Sequence, residues 1–357
     1  MEDVMSSRIP RGSWTLVAIA SAAGAIVAVV LGFLTFGAQA SVSPEQVPVA
    51  VAAPDAGPAR AAADRLAAQT GDALSWQSTT LTESDRLLHD KQVYGVLELT
   101  PGPGGTVAKV VVSGAINPSG TQVAQQALTA AGQALSAGSP VQVETLHPAS
   151  MAGRSAPLGV SALAWIGCLV GGAALTLLAD RAGRKPSAWA RLSQVAGVSV
   201  LVTAVLAGFL KLWDSTLPLG WDVLGFLFLS TAALAALQGG LLRMLGLRAM
   251  AILTPLYLIA PAVAGQVPEL LHPGYRAALW SWTPFRFSTE GLRSLLQGTP
   301  DAPDVLTGVW VFGGLLLVSL VVLLWPGWAT APTRLVGSSG KETESHSANG
   351  VVQVGVH

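Results

Sequence analysis

Long uninterrupted apolar runs constrain this chain more than any other feature of it. A helix needs about twenty apolar residues to cross the hydrocarbon core of a bilayer, because lipid offers its backbone no hydrogen-bond partner. Six stretches meet or nearly meet that length: residues 14–36, 158–179, 192–210, 223–242, 249–267 and 305–325. Only residues 243–248 separate the fourth from the fifth, so this pair reads as a tight helical hairpin with its turn at the membrane surface. Composition agrees, since 11% of residues are charged against about a quarter in an ordinary soluble domain. The expected fold is a polytopic α-helical membrane protein of about six spans, with the lipid bilayer as its first partner.

Arginine and lysine in short loops set the orientation of such a chain, because those loops resist translocation while long domains cross largely regardless of charge. Arg8 and Arg11 precede the first run; Arg181, Arg184, Lys185 and Arg191 separate the second from the third; Arg243 and Arg248 lie in the hairpin turn; Arg334 and Lys341 follow the last. Lys211, Arg276, Arg286 and Arg293 oppose them. Both termini, residues 1–13 and a disordered tail over 326–357, are therefore expected in the cytoplasm, and residues 41–155 outside a cytoplasmic (inner) membrane. Ala38-Gln39-Ala40 has the small-residue texture of a signal cleavage site. The run before it, however, is of spanning length and exceeds the roughly 7–15 residues of a signal core, so it reads as a retained anchor.

Residues 41–155 carry Asp, Glu, Gln, Thr and Pro in segments of globular length. Strands are expected over 47–52, 73–78, 92–99, 107–113 and 141–146, and helices over 58–69, 82–90 and 118–136, the second capped by Thr82. Strands alternating with helices define an extracytoplasmic α/β domain inserted between the first two spans.

The expected spans contain no Asp, Glu, Lys or Arg near their centres. A carrier coupled to protons or sodium needs such groups at depth, so that class is disfavoured. Gln194 and Gln238 fall near span ends and read as interfacial. Gly337-Ser-Ser-Gly340-Lys341-Glu342 lacks the spacing and the hydroxyl of a phosphate-binding loop, so no intrinsic ATPase, enzyme motif or cofactor is expected. Formal net charge is zero, which gives no field for nucleic acid. His89 and His147 have no third ligand at useful spacing, and Asp85 and His89 read as a surface pair on one helix. Gly167 and Gly171 form a Gly-x-x-x-Gly pair suited to close helix packing.

Residues 268–304 mix Trp280, Trp282 and Phe285 with Arg286, Glu290 and Arg293, broken by Pro273 and Pro284. This amphipathic outer segment is either a loop resting on the membrane with aromatic anchors or a re-entrant pair closing the outer end of a pathway. Those six residues are the candidate outer gate or interface.

The whole layout resembles a known one, on the strength of Val47-Pro-Val-Ala-Val-Ala-Ala-Pro-Asp55, Asp90-Lys-Gln-Val-Tyr-Gly-Val-Leu-Glu-Leu99 and Thr283-Pro-Phe-Arg-Phe-Ser-Thr-Glu-Gly-Leu-Arg293. The chain resembles the type-2 ABC exporter permease superfamily, in particular its phage-infection-protein-like branch, over residues 14–325. The resemblance implies a permease half that pairs with a second copy or a related subunit, exports a lipid-like or amphiphilic substrate, and takes energy from a separate ATP-binding subunit. Arg181, Arg184, Lys185 and Arg191 are then the candidate ATPase contact. The alternative is a membrane-anchored envelope or surface-receptor protein whose outer domain binds a partner without transport.

Overall fold

The structure, a computed structural model, describes residues 11–69, 71–102, 105–136 and 140–325. The expected tail over 326–357 and the first ten residues lie outside them. Helix α1 (Arg11–Gly32) runs on through a π-helical turn, Phe33–Gly37, and a last helical turn, Ala38–Ala40. It leads directly into the sheet domain.

Strands β1 (Val47–Ala52), β2 (Leu74–Thr79), β3 (Val96–Gly102), β4 (Gly105–Ser113) and β5 (Gln142–Leu146) form one sheet in the order β2-β1-β3-β4-β5. β1 is parallel to β2 and β3, β4 is antiparallel to β3, and β5 is parallel to β4. The parallel pairs need crossover helices, supplied by α2 (Pro58–Ala67), α3 (Leu81–His89) and α4 (Pro118–Leu135). Because side chains alternate along a strand, Val49 and Val51 enter the core with Ala63, Leu66, Ala124 and Leu128 of α2 and α4. Ala50 and Ala52 face the other way, onto Leu87 and Leu88 of α3. A sheet covered on both faces explains why β1 reads as a continuous apolar run.

Two expected boundaries shift for local reasons. Thr80, not Thr82, caps α3, its hydroxyl accepting from the Glu83 N–H at 3.2 Å. The strand expected over 92–99 begins at Val96: Lys91 turns with a φ of 56°, and the lead-in is tied to β1 by Tyr94 N–H to Pro48 O (3.0 Å) and Ala50 N–H to Gly95 O (3.1 Å).

Below the sheet domain lie α5 (Met151–Arg181), α6 (Ala188–Trp213), α7 (Trp221–Leu245), α8 (Met250–Ala264), α9 (Pro284–Leu296) and α10 (Pro303–Leu324). Residues 151–155, expected in the outer domain, are the first turns of α5, which Ser150 caps by accepting from the Gly153 N–H at 2.9 Å. Helix α7 forms the axis of the bundle, and its buried side chains follow one another almost without gap from Ser230 to Ala236. Among the described residues α1 adds none to this core; near its C-terminal end Leu31, and Leu34 in the π-helical turn that follows, meet Val263, Leu271 and Leu279.

Among the described residues, five stretches are long and apolar enough to cross a membrane: Ala18–Ala40, Met151–Arg181, Ala188–Trp213, Trp221–Ala264 and Pro303–Leu324. The count falls from the expected six because the fourth stretch contains both α7 and α8, joined by a 3-10 turn at Gly246–Ala249. Its interior still folds back on itself. Fifteen residues of straight helix would separate Gln238 from Leu253 by about 22 Å, yet the Gln238 side chain donates to Trp165 O (3.2 Å) and the Trp165 indole donates to Leu253 O (3.3 Å). Gly246, with φ of 60° and ψ of −150°, provides the bend, a conformation in which an L side chain is strained.

Gln238 is fully buried rather than interfacial, and its Oε1 has no protein partner. The Gly-x-x-x-Gly pair packs within the chain: an added Cβ on Gly167 would meet Val202 at 3.0 Å, and one on Gly171 would meet Val198 at 2.8 Å.

Candidate functional site

The richest polar chemistry lies where the sheet domain meets α9 and the start of α10. Lys91, at the turn after α3, reaches Asp304 at 2.5 Å and donates to the Ser294 hydroxyl at 2.5 Å. Ser294 donates in turn to Asp304 Oδ1 (2.9 Å). Asn117, the cap of α4, gives its Nδ2–H to Glu290 Oε1 at 2.9 Å, while the other Glu290 oxygen accepts from Arg293 at 2.7 Å. The Tyr94 hydroxyl donates to Glu269 at 2.8 Å, and backbone bonds from Ser43 N–H to Leu270 O (3.2 Å) and Glu45 N–H to Glu269 O (2.8 Å) complete the attachment. An apolar contact of Val47 with Val267 and Leu270 closes the same joint.

Each partner is positioned by an element that the sequence builds for its own reasons. Pro284 and Pro303 open α9 and α10 at the first turn, where a missing N–H removes no helical bond. α9 then places Phe285, Leu292, Leu295 and Leu296 in the bundle core and presents Glu290 toward the domain. Burial by itself pushes the Glu290 carboxyl up. The charges of Arg293 and Lys91, with hydrogen bonds from Arg293 and Asn117, outweigh that and hold it below the usual carboxylate range. Burial drives the Tyr94 hydroxyl upward, reinforced by the charge of Glu269, so it stays a donor.

A pocket of about 270 Å³ opens at this joint, bordered by Asp90 and Lys91 from the domain, Arg286 and Glu290 from α9, and Asp304 and Thr307 from α10. Of the six residues expected at the outer gate, Arg286 and Glu290 line it. Arg293 stands behind Glu290, 4% exposed. Trp280 and Phe287 stack against the Arg286 guanidinium at 3.9 and 4.0 Å. Phe285 points away, packing on Trp165 with ring centroids 4.9 Å apart, and Trp282 is exposed with its indole bonded one turn back to Ala278 O. Pro284–Leu296 is thus a packed ledge under the domain, while residues 276–282 stay largely exposed. Lys91, Tyr94, Asn117, Ser294 and Asp304 were not marked as site residues by the sequence, because their partners lie far away along the chain.

His89 bridges Asp90 (3.4 Å) and Asp301 (3.2 Å), and not Asp85 as its helical spacing implied. The hydrogen bond that the ring donates to Asp90 does most to raise its pKa above the ordinary value; burial opposes it, and the bond donated to Asp301 with the charges of both carboxylates adds to the rise. A raised folded value means that this contribution is complete below the ordinary histidine pKa and is lost as pH rises through the folded one. The thermal midpoint should fall modestly across that window, and His89→Gln should flatten the profile; an unchanged slope in the variant counts against the bridge. Among the described residues there is no group of three or more His, Cys, Asp or Glu placed to hold a metal.

The candidate ATPase-contact residues lie far from this site. α5 has 31 residues and so extends about 46 Å, which puts Arg181, Arg184 and Lys185 at the end opposite the sheet domain. Those three are exposed, and Arg191 is partly buried near the charge of Arg243. Arg243 bonds the last carbonyls of α10, to Val322 O at 3.1 Å and to Leu323 O and Trp325 O, as a basic side chain does at a helix C-terminus.

Comparison with known proteins gives no match: no family model, no curated protein and no solved structure aligns with the chain. The site therefore rests on its own geometry. It belongs to a mostly helical protein with five apolar stretches of spanning length and a small α/β sheet.

Proposed function

We propose that the chain is a multi-pass protein of a cytoplasmic membrane, with six spans and the sheet domain outside, serving as the permease-like subunit of an ABC-type exporter. Its substrate is lipid-like or amphiphilic, it pairs with a second copy or a related subunit, and a separate ATPase drives it. One observation carries this reading. The sheet domain and the basic loops occupy opposite ends of α5, and the domain is bonded to α9, which is itself wedged in the bundle. A substrate-facing end and a cationic end suited to an energy-supplying partner are thereby joined by packed helices. α8, with the turn before it, makes the fifth span.

Gentle solubilisation of native membranes followed by affinity capture tests the partner. An ATP-binding subunit should copurify, and Arg184→Glu with Lys185→Glu should release it. If none associates, the protein is better described as an envelope protein whose outer domain binds a partner. Orientation has its own test, because the single native cysteine, Cys168, is buried and gives a low background. Gln125→Cys, exposed on α4, should react with an impermeant maleimide applied to intact cells, and Ala182→Cys should react only after lysis. The reverse pattern would refute the placement of the domain.

A further inference from the structure

The pocket at the joint has a charge inventory that specifies a ligand. Its border carries two cations, Lys91 and Arg286, and three carboxylates, Asp90, Glu290 and Asp304. Lys91 is committed to Asp304, Asp90 to Arg86 at 3.0 Å, and Glu290 to Arg293. Arg286 differs. Among the described residues it has no carboxylate within ion-pair distance; it donates one N–H to Ser281 O at 3.3 Å, and its buried Nε has no partner. A guanidinium held flat between two rings, with donors to spare, is preorganised for a phosphate. A carboxylate offers about four lone-pair sites, and Glu290, Asp90 and Asp304 use two or three each, so each keeps an acceptor for a ligand that brings its own N–H donors beside its phosphate.

The pocket also leads onto an apolar path. Thr307 borders it, and one turn further along α10 Trp310 is 73% exposed beside Leu306 at 61%. An added Cβ at Gly313 or Gly314 would meet nothing within 4 Å, so the helix surface below Trp310 is open. A polar head in the pocket and an acyl chain along α10 fit one molecule.

We infer that this pocket binds the headgroup of a zwitterionic phospholipid bearing a primary amine, with its phosphate on Arg286 and its ammonium among Glu290, Asp90 and Asp304. Phosphoethanolamine fits better than phosphocholine for a physical reason. A quaternary ammonium is recognised by open aromatic faces, and Phe287, the one aromatic ring bordering the pocket among the described residues, already has a face against Arg286. The primary ammonium instead donates hydrogen bonds to the carboxylates that are present. This inference rests on membrane embedding and is independent of export.

The test uses the full chain in nanodiscs made of equal parts phosphatidylethanolamine, phosphatidylglycerol and phosphatidylcholine, then released and weighed by native mass spectrometry. The wild type should retain phosphatidylethanolamine in preference to the other two. Arg286→Met removes the phosphate donors, and Thr307→Trp fills the pocket from an exposed position on a different helix. Losing a charge-assisted hydrogen bond is worth about 1.5–3 kcal/mol, so occupancy should fall about tenfold or more in each variant. Equal retention of the three lipids, a preference for phosphatidylglycerol, or wild-type occupancy in Thr307→Trp would overturn the site. Failure of the chain to enter nanodiscs would instead overturn the embedding on which it depends.

Discussion

Glu290→Ala is expected to destabilise the folded protein by about 3–5 kcal/mol, as removal of one member of a buried ion pair does. The penalty falls on what remains. Arg293 is 4% exposed, its Nε already lacks a partner, and Glu290 supplies its one ion-pair contact among the described residues. Asn117 would lose its acceptor as well. The double variant Glu290→Ala with Arg293→Met should recover much of the loss, because no charge is then stranded. Thermal unfolding in detergent, followed by tryptophan fluorescence, reads both. A Glu290→Ala midpoint equal to wild type would show that the joint is not held by this pair. Acid should mimic the substitution: since the folded pKa of Glu290 is depressed, its contribution is complete above the ordinary glutamate value and is lost as pH falls through the folded one.

Phe226→Ala should cost a comparable amount, about 3–5 kcal/mol, through the cavity it leaves. This ring is 4% exposed and stands edge-on to Phe312, with centroids 6.1 Å apart. Two glycines of neighbouring helices close on it: a Cβ built on Gly291 would lie 2.5 Å from the ring, and one on Gly308 would lie 2.8 Å from it. Gly291→Ala alone should destabilise by about 1–3 kcal/mol through overpacking. Combining it with Phe226→Leu should cost less than the sum of the two, since residues sharing one contact couple. Strict additivity in the thermal midpoints would mean that α7 and α9 do not meet through this ring.

Much of this architecture was legible because it follows from short-range periodicity. Apolar runs place α1, α6, α7 and α10 within a few residues and α5 apart from its first two turns, and the continuous apolar run Val47–Ala52 gives β1 at its observed bounds. What pattern could not supply was the identity of the central helix. α7 and α10 are both apolar throughout, and only packing puts α7 at the axis, which is why Gln238 is buried although its position near a span end looked interfacial. α8 was legible as the apolar second arm of a hairpin, but neither its shorter length of fifteen residues nor its contact with Trp165, the partner of Gln238, was. Trp280, Arg286, Glu290 and Arg293 could be singled out from their mixture of charge and aromatic character. Their counterparts could not, because Lys91 and Asp304 stand 213 residues apart, and Asn117 and Glu290 173 apart. Such pairings are set by the way the domain docks, and no local signal encodes them.

The isolation of the first helix has a consequence for how the chain tolerates change. None of the residues in its spanning window is buried by the rest of the protein, and its attachments cluster near Leu31, Leu34 and the Tyr275 hydroxyl, which donates to Phe33 O at 2.7 Å. Its N-terminal half therefore behaves as a mooring line: other oily sequences of equal length can replace it without disturbing the remaining helices, whereas the few residues at its C-terminal end fix where the sheet is tethered.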